Sequence, residues 1–563
     1  MTRLCAAFLL FSAASFAQPV PQSPLTVGSG NTAVADPTIP RPDNVKPCRV
    51  TLYTNQQFAD FSPKPFAYAP PAACPGPWQK VVLEADYSVE AGLQFDRTAN
   101  LWIGGVNIYF GTTAEPSGKI GRSWHVERDL TDYSALLLAP AAGEADLGNL
   151  VNTQFTSSLW GTADIAFYPV SKSGKGNDNS GKGNNNDGPV TADLVLPMSA
   201  GPTGGSVGLN TPTDALQKTF TLPLNVEKAL LDVVLEPQSA NDEFWYTCVP
   251  NNLGNELESC IGTAFREGEV TIDGVPAGVV PISPWIYTGG IDPLLWRPIP
   301  GVQTLNFAAY RVDVTPFAAT LSDGKPHTIA ITVFNNSVSF STTATLLVFL
   351  DHGAKKVTGA ITTNTIGTPS PVLKTNLATD AAGTTTGNVT ISSNRHFLLA
   401  GFVKTSHGTV RTEVEQSIAF SNSQSFVAPT SAAINFEQDI TQRTEISSVT
   451  RTLGDDNTET RVSQSWPLDL TITVPPDGTF QSTIHQTFDR TDLALREGEV
   501  RSGSFVTSSV APKDNFPSGQ GQANSQHYFS ADSTGACFSR TITAAGGFLT
   551  SIVNGADCEH DHH

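Results

Sequence analysis

Short runs of β-branched and aromatic residues, set among polar ones, recur along most of the chain. Thr219-Phe-Thr-Leu, Glu269-Val-Thr-Ile, His327-Thr-Ile-Ala-Ile-Thr-Val-Phe and Ala344-Thr-Leu-Leu-Val-Phe-Leu are of this kind. Successive side chains of a strand point to opposite faces, so such runs predict strands with at least one buried face. Few segments carry a sustained helical period. The pattern fits antiparallel sandwiches better than α/β units, and the fold class is all-β.

The pattern also repeats. Arg128-Asp129-Leu130-Thr131-Asp132-Tyr133 is echoed by Val312-Asp313-Val314-Thr315-Pro316-Phe317. Upstream of each copy a strand runs into a Gly turn, Leu101-Trp102-Ile103-Gly104-Gly105-Val106 and Val270-Thr271-Ile272-Asp273-Gly274-Val275. Repetition of this kind predicts two sandwiches of one topology, over 47–200 and 215–355. A third β domain, rich in Ser, Thr, Gln and Asn, is expected over 390–545. It contains alternating segments such as Arg461-Val-Ser-Gln-Ser-Trp and Leu468-Asp-Leu-Thr-Ile-Thr-Val. The tail 546–563, ending His560-Asp561-His562-His563, reads as frayed rather than metal-binding.

Two segments depart from the β pattern. Residues 18–46 are rich in Pro, Ser, Thr and Asn and read as a flexible arm. Ser171 to Gly188 holds no hydrophobic residue, so 171–189 is expected to be a disordered, protease-sensitive loop. It has Gly and Lys but lacks the spacing of a phosphate-binding loop. At the N-terminus, Arg3 precedes an apolar run from Leu4 to Ala14, and Ser15-Phe16-Ala17 has the small-x-small form of a cleavage site. Residues 1–17 therefore read as a signal peptide and the mature chain as secreted, extracellular or vacuolar.

Cysteine usage agrees with an oxidising compartment. Cys5 leaves with the signal, and the other six fall into three local couples: Cys48 with Cys74, Cys248 with Cys260, and Cys537 with Cys558. Three structural disulfides are expected. Asn335-Asn336-Ser337 and Asn388-Val389-Thr390 are N-glycosylation sequons.

Charge narrows the function. Among 563 residues Lys plus Arg number 33 and Asp plus Glu 52, a balance of −19. That excess disfavours nucleic acid and anionic lipid, both of which need a basic face. It leaves a neutral ligand such as sugar open. There is no H-E-x-x-H, and the G-x-S-x-G match at Gly204–Gly208 lies in a Gly-Pro-Thr-rich loop without the strand-to-helix turn of a nucleophile elbow.

Acids beside aromatic rings are the richer signal. Asn241-Asp242-Glu243-Phe244-Trp245-Tyr246 precedes Cys248, and Phe95-Asp96-Arg97 enters the Trp102 strand. Thr113-Ala114-Glu115-Pro116 adds a third carboxylate. Tyr287-Thr288-Gly289-Gly290 and Leu295-Trp296-Arg297-Pro298 add a Gly-Gly turn and a ring-plus-guanidinium corner. A desolvated carboxylate has raised proton affinity, which suits acid–base work, and rings suit the apolar faces of sugars.

In order, these segments resemble the peptide N-glycanase A family, secreted glycoasparagine amidases of plants and fungi, over roughly residues 45–360. The segment Asp323-Gly324-Lys325-Pro326-His327 belongs to the same match. More distantly, Phe95-Asp96-Arg97-Thr98-Ala99-Asn100 is similar to the W-D-R-x-A-N segment of the bacterial F-type enzymes, which are built from two jelly rolls. The resemblance implies two jelly-roll-like β-sandwich domains packed side by side, with Asp96 as the catalytic aspartate. It implies Glu243 as the second acid, with Asp242 as its rival. Substrate-binding roles are expected for Arg97, Trp102, Glu115, Trp245, Trp285, Trp296 and Arg297, each tryptophan being equally open to a core role. Asn107 departs from relatives that carry an acid after Gly-Gly-Val. The implied reaction is hydrolysis of the amide joining Asn to the first N-acetylglucosamine of an N-glycan, without cofactor or metal and at acidic pH. N-glycosylated peptides or glycoproteins are the expected partners. A glycoside hydrolase using paired carboxylates and a non-catalytic glycan-binding protein are the alternatives.

Overall fold

The structure, a computed structural model, describes residues 25–94, 97–170, 189–430, 434–454, 457–516 and 523–558. The signal peptide 1–17 and all but the last residue of the loop 171–189 lie outside the described residues.

The first sandwich comprises β1 (Cys48–Phe58), β2 (Lys64–Tyr68), β3 (Trp78–Val89), β4 (Thr98–Ile103), β5 (Val106–Thr112), β6 (Arg122–Asp129), β7 (Ala141–Asp146) and β8 (Leu159–Pro169). They pair in two four-stranded antiparallel sheets, β1-β8-β3-β6 and β2-β7-β4-β5. This is jelly-roll topology. The second sandwich comprises β9 (Leu194–Met198), β10 (Val207–Leu209), β11 (Leu216–Phe220), β12 (Val226–Pro237), β13 (Glu267–Ile272), β14 (Val275–Pro281), β15 (Tyr310–Asp313), β16 (His327–Phe334) and β17 (Phe340–Leu350). Its sheet orders are β10-β17-β12-β15 and β11-β16-β13-β14, so adding nine to each label of the first jelly roll gives the second. Strand β9 pairs with β17 beside β10, so Leu194–Met198 contributes to the second jelly roll although it falls within 47–200.

The sequence repeat is a repeat of turns and caps. The β4–β5 hairpin turns at Gly104 and Gly105, with φ of 55° and 81°. The β13–β14 hairpin turns at Asp273 and Gly274, with φ of 50° and 77°. Two positive φ values at a two-residue turn match the right-handed twist of the strands, which is why Gly recurs there. After β6, Asp129 Oδ1 accepts from the Thr131 amide at 2.9 Å; after β15, Asp313 Oδ1 accepts from the Thr315 amide at 2.9 Å. Each begins a 3-10 turn, Thr131–Leu138 and Thr315–Phe317.

Beyond residue 357 a single thirteen-stranded sheet runs from Thr358–Asn364 to Phe548–Asn554. The two longest strands, Thr385–Thr405 and Gly408–Ala428, form a hairpin of 21 residues on each side. One face buries Ile391, Leu399, Val403, Val414 and Phe420 against the second jelly roll. This sheet starts before residue 390 and continues past 545. The expected frayed tail is corrected as far as residue 554: Phe548–Asn554 pairs with Cys537–Ala545, closing a hairpin. All three expected disulfides are formed, Cys48–Cys74, Cys248–Cys260 and Cys537–Cys558.

The arm is also corrected, for its described part. Ala33 and Ala35 are buried, and Arg41 pairs with Glu84 at 2.9 Å and Glu127 at 2.6 Å on the first jelly roll. The Ala35 amide donates to Gln526 Oε1 at 2.7 Å, and the Gly28 amide to the Leu549 carbonyl at 2.7 Å. Small side chains let this extended segment lie between sheets, and its backbone groups find partners there.

The jelly rolls meet along β5. Segment 304–307 hydrogen-bonds to it through Thr112 N to Thr304 O and Phe307 N to Phe110 O, both 2.9 Å. Tyr109 Oη donates to Leu305 O at 2.6 Å. A Cβ at Gly111 would lie 2.3 Å from Leu305 O, so only glycine permits this approach. Arg311 ties the seam elsewhere, reaching Asp132 at 2.6 Å and Asp232 at 2.7 Å.

Candidate active site

Strand β12 ends in Val233-Val234-Leu235-Glu236-Pro237, and the chain then leaves the sheet into a short helix, Ala240–Glu243, and a 3-10 turn, Trp245–Thr247. Ser239, at φ 62°, makes the corner. The two acids of Asp242-Glu243 therefore go different ways. Asp242 is wholly buried. Its Oδ1 accepts from Arg266 Nε at 2.9 Å, and the carboxylate also accepts from the amides of Ser337, Val338 and Ser339. A carboxylate so saturated anchors a turn. Glu243 is half-buried, and its charge acts on Glu236, Tyr246 and Tyr287.

Below Glu243 lies an acid that the sequence reading missed. Glu236 is 1% exposed. Burial pushes its carboxyl up to about 8. The charges of Glu243 and of Asp146 at the end of β7 add to the rise, against hydrogen bonds from Gln238 and Tyr287. Tyr287 Oη donates to Glu236 Oε1 at 3.3 Å and also to Pro237 O. Burial, then the nearby carboxylates, holds the Tyr287 phenol well above its usual range. The available signal was Glu236 itself, a carboxyl inside an apolar strand run, where such groups are rare unless paired or functional.

A second cluster surrounds the segment that holds Asp96. Phe95 and Asp96 lie outside the described residues; their neighbours Gln94 and Arg97 are buried. Gln94 Nε2 donates to Glu115 Oε2 at 2.6 Å and Ala114 O at 3.2 Å. Arg97 donates to Gln94 Oε1 and to Asn149 Oδ1. Asn149 Nδ2 in turn donates to Phe58 O at 2.8 Å and Ser157 O at 3.1 Å. From the second jelly roll, Arg297 Nη2 reaches Glu115 Oε1 at 3.2 Å. Arg122 lies close to both; burial first, then the charge of Arg297, lowers it to about 10, and Glu115 opposes the fall.

Segment 287–297 joins the two clusters. Tyr287 sits on Glu236, the next residue Thr288 donates through Oγ1 to Thr113 O, and Arg297 reaches Glu115. Glu115, Glu236 and Glu243 are thus gathered along one seam between the jelly rolls. Of the four tryptophans, Trp102, Trp245 and Trp296 are buried in cores and present no face to a sugar. Trp245 packs on Phe420 of the large sheet, and Trp296 Nε1 is spent on Gly290 O at 2.9 Å. Trp285 alone among them is half-buried. It stacks on Phe307 at 3.9 Å with an interplanar angle of 8°.

The sequons differ. Asn335 Nδ2, at φ 60°, donates to Gly262 O at 2.6 Å, Thr263 Oγ1 at 3.0 Å and Phe265 O at 3.1 Å. The Asn335 amide nitrogen is thus engaged within the fold. Asn388 is exposed on a strand. Among the described residues no helix is long and apolar enough to cross a membrane.

These features define an all-β, double-jelly-roll protein with an acidic, aromatic-flanked seam. The chain belongs to the family described as peptide N-acetyl-beta-D-glucosaminyl asparaginase amidase A, whose model matches residues 37–366, through both jelly rolls and the first strand of the large sheet. It is similar to the peptide-N4-(N-acetyl-beta-glucosaminyl)asparagine amidase A of Prunus dulcis, with 32% identity over 387 residues, 67% of this chain and 66% of that protein. Two solved structures resemble it more remotely. PNGase F, a glycosylasparaginase from Flavobacterium meningosepticum, is 13% identical with a TM-score of 0.35, over 54% of this chain and 96% of that one. PNGF-II is 12% identical with a TM-score of 0.36, over 55% and 66%.

Proposed function

We propose that the protein is a secreted glycoamidase that hydrolyses the amide between an Asn side chain and the first N-acetylglucosamine of an N-glycan. The supporting observation is the family match across both jelly rolls, combined with carboxyl groups in distinct environments along their seam. N-glycosylated peptides are the substrate class.

An amide is a weak electrophile and water a weak nucleophile. Asp96 takes a proton from water as its oxygen bonds to the Asn side-chain carbonyl carbon, an effect of roughly 10²–10⁴-fold for a positioned base. The C–N bond breaks, and the nitrogen leaves as the glycosylamine after receiving a proton. The peptide retains Asp. Glu243 is the second acid, placed to position water or hand a proton to the leaving nitrogen. Glu236, held neutral beneath it, provides a proton-bearing neighbour without adding charge. Arg97 and Arg297, both tied into hydrogen bonds or ion pairs, keep the Asp96 segment and Glu115 in register, and Trp285 offers an indole face to the core sugars.

The decisive experiment is incubation of a defined glycopeptide in heavy-oxygen water, followed by mass analysis of peptide and glycan. A glycoamidase leaves Asp bearing the heavy oxygen. A glycosidase leaves Asn intact with heavy oxygen on the sugar, and a lectin releases nothing.

A further inference from the structure

The loop that carries Glu243 is pinned at one end by the bonds of Asp242 to Arg266 and to the turn at 337–339. Between the end of β12 and the start of β13 the chain makes turns, the Cys248–Cys260 disulfide and one isolated parallel bridge, Val249 with Ile261. Its backbone carbonyls at 246, 247 and 248 also meet the large sheet, the one at 247 shared with Ser259 Oγ at 2.8 Å. Asn422 Nδ2 donates to Tyr246 O at 2.8 Å, Gln438 Nε2 to Thr247 O at 3.1 Å, and Gln424 Nε2 to Cys248 O at 3.0 Å. Three consecutive carbonyls are thus read by three side-chain amides.

Those amides are themselves held as a ladder. Gln438 Nε2 also donates to Gln424 Oε1 at 2.8 Å, Gln424 Nε2 to Asn422 Oδ1 at 3.0 Å, and Asn422 Nδ2 to Gln442 Oε1 at 3.0 Å. Asn422 and Gln424 are two apart on Gly408–Ala428, and Gln438 and Gln442 lie on the paired strand Phe436–Leu453, so all four project from one face. All are buried. Buried amides are costly unless hydrogen-bonded, and the ladder holds the side-chain nitrogens of Asn422, Gln424 and Gln438 in one arrangement.

The same face grips the other loop of the seam. Gln486 Nε2 donates to Pro284 O at 2.9 Å and its Oε1 accepts from the Val302 amide at 3.1 Å. Asn524 Nδ2 donates to Leu295 O at 2.9 Å and Ile299 O at 2.8 Å. These contacts bracket Trp285, Tyr287 and Arg297.

We propose that the C-terminal sheet is a positioning template for the glycoamidase site, with Asn422, Gln424 and Gln438 acting as positioning residues that set the place of Glu243 by holding carbonyls 246–248. This rests on the glycoamidase reading. It assigns a task to the sheet, which meets the seam loops through these side-chain amides and through the packing of Phe420 on Trp245. Since a misplacement of about 1 Å at a reacting group costs about a hundredfold in rate, loss of a clamp is read in kcat more than in KM.

The test uses the full chain with Asn422→Leu and, as a second variant that keeps the volume, Gln438→Met. The control is Gln526→Leu, which removes an equally buried amide of the same sheet that grips Ala35 instead of the Glu243 loop. Expected for the two loop variants is a fall in kcat of about tenfold to a hundredfold with KM within about threefold. Expected for the control is a lower unfolding midpoint with kcat retained. Hydrogen exchange should speed up over 243–248 in the loop variants alone. If Asn422→Leu and Gln438→Met lower the midpoint as the control does and turn over like wild type, the template role is refuted. If wild type releases no glycan from any glycopeptide, the glycoamidase reading fails on its own. Exchange over 243–248 then decides for the template if it quickens and against it if it does not.

Discussion

Replacing Glu236 by Gln tests the electrostatics of the seam directly. The carboxyl is buried at the end of β12; Tyr287 and Gln238 hydrogen-bond to it, while Glu243 faces it from the short helix and Asp146 from the first jelly roll. Its proton is held until about pH 8, whereas in the unfolded chain it leaves near 4.5. Between those values the folded protein binds a proton that the unfolded chain has lost. Stability from this group is therefore intact below pH 4.5, declines as pH rises and levels off above about 8. At ~1.4 kcal/mol per unit, wild type loses ~3–4 kcal/mol from this group between pH 5 and pH 8. Gln keeps the shape and has no proton to lose. Urea unfolding followed by tryptophan fluorescence, for both proteins at both pH values, gives a difference of differences. In that quantity distant acids raised by burial, such as Glu267 to about 7 and Asp36 and Asp292 to about 6, cancel. Relative to wild type, Glu236→Gln should gain ~3–4 kcal/mol on going from pH 5 to pH 8. Parallel behaviour of the two proteins would mean an ordinary carboxyl, and the account of a neutral acid beneath Glu243 would be wrong.

Three further outcomes follow from single contacts. Asp242→Ala leaves Arg266 buried without its carboxylate and should cost ~3–5 kcal/mol, read as a lower urea midpoint. Gly111→Ala pushes a methyl into Leu305 O and should destabilise the seam by ~1–3 kcal/mol, with glycopeptide turnover falling alongside the thermal midpoint. When the protein is produced in a glycosylating host, Asn388→Gln should lose glycan mass and Asn335→Gln should not, as intact-mass measurement will show.

Much of the architecture was legible because it is encoded locally. The hairpin turns at Gly104-Gly105 and Asp273-Gly274, and the caps at Asp129 and Asp313, involve residues within a few positions of one another. Their recurrence exposed the duplicated jelly roll. The disulfides were legible for the same reason, each closing a short span of chain. What stayed hidden depends on distant partners. Asp242 and Glu243 are neighbours, and only Arg266 and the turn at 337–339 decide which of them is consumed. Strands Thr358–Asn364 and Val372–Thr379 are largely exposed, so they lack the apolar alternation that marks a strand. Residues 25–46 resemble a linker in composition. They are ordered by Gln526, Glu84 and Glu127, none of which is near in sequence. The tryptophans illustrate a similar limit: an indole in an amphipathic run serves a core or a ligand equally well, and burial alone separated Trp285 from the other three.

The packing of residues 25–46 bears on biosynthesis. Gly28 bonds to Leu549 and Ala35 to Gln526, the latter 491 positions further along, so this stretch docks on strands translated much later. On the ribosome the part around Gly28 and Ala35 lacks these partners until those strands emerge, whereas Arg41 can already meet Glu84 and Glu127 of the first jelly roll. The stretch around Gly28 and Ala35 is therefore fastened only when the hairpin of Cys537–Ala545 and Phe548–Asn554 and the strand of Gln526 have arrived.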